Sequence, residues 1–197
     1  MDYKIEEEKL VFFAFTLAII LLFFFSLTPQ PFSAASPTLF SALFFQFFHF
    51  SATHLLENIV GLSMVVILSI EMKLKFKEFA LFYLAGVYIA LPLSFFFPAA
   101  AIAGSSTGIY AVLAATLVKG KKYLSWKILI PSFAVFAFSG TIISFFSGSF
   151  SLALPDLFHL AGFLAGAVLF EFIHQRLPEA LRQAEKQLFQ SAYAHKL

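Results

Sequence analysis

Ser106 and His159 are the two residues of this chain best suited to do chemistry together. Ser106 lies in Gly104-Ser105-Ser106-Thr107-Gly108-Ile109-Tyr110, a run of small and hydroxyl residues that opens an apolar segment. His159 lies in a second one, Phe158-His159-Leu160-Ala161-Gly162. A serine hydroxyl is a weak nucleophile until a base accepts its proton, and an imidazole has a pKa suited to that task. Attack on an amide builds an oxyanion, which fixed donors must hold. His54 and Asn58 can supply donors, because a spacing of four puts both on one helix face. The Ser106 backbone N–H is a third donor. Together these groups imply acyl hydrolysis inside a bilayer.

The elements that carry them are membrane helices. Of 197 residues, 60% are hydrophobic and 12% charged, with mean hydropathy +0.89. A soluble domain would carry about twice that share of charge. There is no cysteine, which excludes disulfides and thiolate metal sites. The mostly acidic stretch 1–9 lacks the basic start of a cleaved leader, so the first apolar run is expected to stay as a helix. Apolar segments at 10–27, 52–70, 79–96, 105–118, 128–146 and 155–175 read as six spans. None shows the period-2 alternation of a membrane barrel. The expected fold is an all-α membrane protein, a six-transmembrane-helix bundle. Its expected divisions are an N-terminal segment 1–9, a membrane domain 10–176 and an amphipathic tail 177–197.

Basic residues give the orientation. Lys73, Lys75 and Lys77 follow the second span, Lys119, Lys121, Lys122 and Lys127 the fourth, and Arg176, Arg182, Lys186 and Lys196 the sixth. The other connections hold no Lys or Arg. By the positive-inside rule both termini are cytoplasmic, which an even number of spans requires. The long Phe-rich connection 28–51 is expected to lie in the interface.

The fourth span is short, rising only about 21 Å from Ser105 to Val118. With its inner end fixed by Lys119, its outer end must begin within the membrane. Irregular backbone at that depth needs protein or water beside it, so a water-filled cavity with Ser106 at its floor is expected. Counted from the inner ends, Ser106, Asn58 and His159 lie roughly 20, 21 and 24 Å up, a common depth.

These motifs resemble those of rhomboid intramembrane serine proteases. Gly104-Ser105-Ser106-Thr107 resembles the family's G-x-S-G, with Ser106 at the nucleophile position. His159-Leu160-Ala161-Gly162-Phe163-Leu164-Ala165-Gly166 resembles its H-x-x-G-x-x-x-G, with His159 at the general-base position. His54-Leu55-Leu56-Glu57-Asn58 resembles the H-x-x-x-N whose polar residues line the oxyanion hole. His49-Phe50-Ser51, Glu71 and Tyr110 also match, the last as a ring packed on the catalytic histidine. The resemblance implies a Ser-His dyad cleaving transmembrane protein substrates near their outer ends, without a cofactor, a metal or a nucleic-acid partner. Thr107 stands where the family has glycine, and the Trp-Arg motif of many members' first outer loop is absent.

Blander roles stand beside these. Gly162 and Gly166 form a small-x-x-x-small face whose function is close packing of the fourth and sixth spans. Asp156, three residues before His159, reads first as an interface residue or helix cap and second as a third catalytic member. Metal binding lacks paired ligand spacing. Span five, by family analogy, is a candidate lateral gate. Two other functions compete with the protease: a catalytically inactive rhomboid-like protein binding transmembrane clients, and a small transporter. The nearly all-apolar inner halves of spans four and six oppose the last.

Overall fold

The computed structural model describes residues 3–25, 31–121, 146 and 153–176. Most of the expected fifth span and the whole of the tail 177–197 lie outside the described residues. Helices dominate: α1 (Tyr3–Phe25), α2 (Leu39–Phe44), α3 (Ala52–Glu71), α4 (Phe76–Ser94), α5 (Ser106–Gly120) and α6 (Ala153–Glu171). Among the described residues, Ala52–Glu71, Phe76–Ser94 and Leu154–His174 are long and apolar enough to cross a membrane. Lys9–Phe23 is a shorter apolar helix. The protein is therefore a membrane protein.

The first helix begins at Tyr3 and ends at Phe25. The fold is not purely α. Phe32–Ser33 and Ala101–Ile102 pair as a short antiparallel sheet, with Phe32 opposite Ile102. This sheet ties the long loop after α1 to the loop that leads into α5.

At the centre stands α5. Its residues Ala111, Val112, Ala114 and Ala115 have no exposed surface. A helix buried all round belongs in a core. It packs on α6, α4 and α3. Bilayer lipid removes the hydrophobic drive for such packing, so close van der Waals contact must replace it. Glycines make that contact possible. A Cβ on Gly86 of α4 would lie 2.3 Å from Ala111 Cβ, and one on Gly108 of α5 would lie 2.7 Å from the Tyr83 carbonyl. On the far side of α4, Phe12 and Phe15 of α1 meet Phe76 and Phe79 edge to face.

The polar residues sort to the two ends. At one end Glu78 lies 3.4 Å from His174 and 3.7 Å from Lys119, and Lys121 pairs with Glu171 at 3.3 Å. Lys119 also donates to the Lys73 carbonyl. This is the lysine-rich end read as cytoplasmic from the sequence. Deeper in, Ser69 and Thr116 bond each other at 3.1 Å, both fully buried. Among the described residues the core face of α5 between Ala111 and Ala115 is wholly apolar, against the transporter reading. Ser106, His159 and His54 lie at the opposite end.

Candidate active site

The site is assembled by the turn that starts α5. Gly104 has φ +87°, a conformation open to glycine and strained for other residues. Its N–H donates to the Phe45 carbonyl at 3.0 Å, which anchors the turn to the loop before α3. Ser105 follows at the N-cap, but its hydroxyl makes no capping bond. Instead its Oγ donates to Asn58 Oδ1 at 3.1 Å, fully buried. The first amides of α5 therefore receive no bond from their N-cap side chain. Free N–H groups at a helix start favour negative charge beside them.

Ser106 is the first residue of α5. Its Oγ lies 2.9 Å from His159 Nε2, a hydrogen bond between α5 and α6. Both residues are half-buried, with the His159 side chain 22% exposed. The Tyr110 ring stacks on His159 with centroids 4.5 Å apart and planes 19° apart. This contact holds the imidazole plane. The approach of α6 depends on Gly162 and Gly166. A Cβ on Gly162 would sit 2.2 Å from the Thr107 carbonyl, and one on Gly166 would sit 2.0 Å from that of Ala111.

His54 and Asn58 converge on the same turn from α3. A Cβ on Gly104 would meet His54 Nε2 at 2.8 Å and Asn58 Nδ2 at 3.3 Å. Ser51 caps α3 by accepting from the His54 N–H at 3.1 Å. Asn58 is buried, and its Nδ2 donates to the His54 carbonyl at 2.9 Å. That bond and the Ser105 bond fix the amide orientation, since a carbonyl needs a donor facing it. One Nδ2 hydrogen is used there, and the second has no partner among the described residues.

His49 supports this wall. Its ring meets His54 edge-on with centroids 5.0 Å apart. Burial, and secondarily His54, push its pKa down to about 4, against the opposing pull of the Phe47 carbonyl. The ring is neutral at pH 7, with Nδ1–H donating to that carbonyl at 3.2 Å. Among the described residues no group of three or more His, Cys, Asp or Glu is placed to hold a metal ion.

Asp156 differs from its first sequence reading. It is buried, and its Oδ1 lies 4.0 Å from His159 Nδ1. The i,i+3 spacing on α6 puts the two on one face. Thr107 is buried too, and its hydroxyl has no hydrogen-bond partner among the described residues. Sequence reasoning missed Ser105, the Phe45 carbonyl and the Gly86–Gly108 contact. The small residues were visible, but their partners lie far away in the chain.

A family model described as the Rhomboid domain matches residues 36–176. That match takes in the loop, α3 to α6 and every site residue above. The chain belongs to the rhomboid family. Neither a curated protein nor a solved structure gives a significant match. In rhomboid terms, the G-x-S turn, the H-x-x-x-N helix and the H-x-x-G helix meet at one end of the bundle.

Proposed function

We propose that this rhomboid protein is an intramembrane serine endopeptidase that hydrolyses peptide bonds of transmembrane protein substrates with a Ser106–His159 dyad. The observation that carries this reading is the 2.9 Å contact of Ser106 Oγ with His159 Nε2 at the start of a buried helix. Ser106 Oγ attacks the scissile carbonyl while His159 Nε2 takes its proton. The oxyanion is held by the Ser106 N–H, the second Asn58 Nδ2 hydrogen and the His54 ring. His159 then protonates the leaving amine, which frees the C-terminal product. Water, activated by the same imidazole, hydrolyses the acyl-enzyme and restores Ser106. The dyad needs no cofactor for these steps.

The same reading carries the wider organisation. Residues 10–176 form a six-span domain with both termini cytoplasmic, and 177–197 lie on the cytoplasmic surface of the cell membrane. A water-filled cavity stands above Ser106. Cleavage of a membrane-embedded reporter tests the enzyme reading: Ser106→Ala abolishes it while the fold persists, and undiminished cleavage by that variant sinks it.

One observation favours a second reading, a catalytically inactive client binder. Thr107, where a glycine is the family pattern, is a buried β-branched residue beside the nucleophile with its hydroxyl unbonded among the described residues. Thr107→Gly separates the two. A gain of cleavage from nothing supports the inactive binder, and cleavage by the unaltered chain supports the protease.

A further inference from the structure

Asp156 is buried on the same face of α6 as His159. Its side chain is 7% exposed on a helix long and apolar enough to cross a membrane. A carboxylate away from water is costly unless a partner offsets the loss. A place in the first turn of α6 gives it a favourable helix dipole.

The two nitrogens of His159 face two different groups: Nε2 faces Ser106 Oγ at 2.9 Å, and Nδ1 faces Asp156 Oδ1 at 4.0 Å. For Nε2 to accept the serine proton, the neutral ring must carry its hydrogen on Nδ1. The partner facing the other nitrogen decides which tautomer is present. A carboxylate favours hydrogen on the nitrogen it faces, and it favours the imidazolium formed during attack. At 4.0 Å it acts as a charge and not as a direct hydrogen-bond acceptor. Tyr110, stacked on the ring, limits the tilt of its plane.

Resting on the dyad reading above, we propose that Asp156 is a positioning residue for His159. It holds the ring in the Nδ1–H tautomer and stabilises the charge that develops when Ser106 gives up its proton. The proton moves from Ser106 Oγ to His159 Nε2 and back to the leaving amine. Asp156 makes or breaks no bond.

The test uses the full chain in detergent micelles, with a transmembrane reporter as substrate. Asp156→Asn is expected to lower kcat by about ten- to a hundredfold, a sizeable part of what a general base supplies, with KM nearly unchanged. Asp156→Glu restores part of that loss. A purely structural role would lower the unfolding temperature without this kcat-against-KM split. Nitrogen NMR of the histidine-labelled chain, with His159 assigned by its absence in His159→Ala, reads the tautomer directly. The unaltered protein is expected to carry hydrogen on Nδ1, and Asp156→Asn to lose that preference. Wild-type kcat and an unchanged tautomer in Asp156→Asn overturn the proposal. If that variant does not fold, the unaltered chain decides, and hydrogen on His159 Nε2 overturns it. Ser106→Ala is run alongside. Cleavage by Ser106→Ala sinks the dyad reading, whereas its inactivity beside a fully active Asp156→Asn sinks only the role of Asp156.

Discussion

Gly162 is the position where one added methyl group should separate the two halves of the dyad. A Cβ there would lie 2.2 Å from the Thr107 carbonyl oxygen and 2.9 Å from its carbon. Those are backbone atoms of α5 and cannot rotate aside. To reach an ordinary contact of 3.4 Å, α6 must retreat by about 1.2 Å. His159 lies one turn before Gly162, so most of that retreat reaches its ring. The Ser106–His159 distance of 2.9 Å then grows to about 4 Å, too long for a hydrogen bond. Misplacement of about 1 Å costs on the order of a hundredfold in rate. Overpacking of this kind costs about 1–3 kcal/mol of stability. The assay is the rate at which a fluorophosphonate labels Ser106, followed beside thermal unfolding in detergent. Gly162→Ala is expected to label on the order of a hundredfold more slowly. Gly166→Ala meets Ala111 O at 2.0 Å but lies a turn further from His159, so it should lose comparable stability and less reactivity. Leu164→Ala, on the exposed side of α6, should change neither strongly. Wild-type labelling and unfolding of Gly162→Ala would refute the packing argument.

Gly104→Ala forces φ +87° on a residue with a Cβ and brings that atom 2.8 Å from His54 Nε2. It should cost about 1–2 kcal/mol in unfolding measurements and suppress labelling of Ser106. Ser105→Ala removes the buried bond to Asn58 Oδ1 and leaves that oxygen unpaired. The expected loss is about 1–3 kcal/mol, and a variant as stable as the parent would contradict the anchoring role. Lys73 ends α3 at φ 54°, with the Leu74 N–H bonded to the Ser69 carbonyl and the Lys73 N–H to that of Ile70. Lys73→Gly should raise stability by about 1 kcal/mol, since glycine takes this conformation without strain. Ser69→Ala alone strands the Thr116 hydroxyl, whereas Ser69→Ala with Thr116→Val removes both partners. Unfolding should show the double variant more stable than the sum of the single losses.

Much of this arrangement was legible in the sequence because it rests on local signals. The apolar run from residue 52 marked the start of α3, and Lys119 after another marked the inner end of α5. The short fourth span followed from those marks and put Ser106 level with His159 and Asn58. The parts that were not legible are tertiary. Ser105 was the unassigned residue of the G-x-S motif until its hydroxyl met Asn58, 47 positions away. The strands Phe32–Ser33 and Ala101–Ile102 are too short to carry any periodicity, and only their pairing defines them. Asp156 looked like a cap because its spacing to His159 says which face it shares, not whether water reaches it.

The central claim is that Ser106 is a nucleophile made reactive by His159. Its most direct measurement is mass-spectrometric mapping of a fluorophosphonate adduct on the full chain and on His159→Ala. The account predicts an adduct on Ser106 in the unaltered protein and its loss in His159→Ala. An unaltered chain that stays unlabelled, or a His159→Ala chain labelled at Ser106 at the original rate, would contradict it.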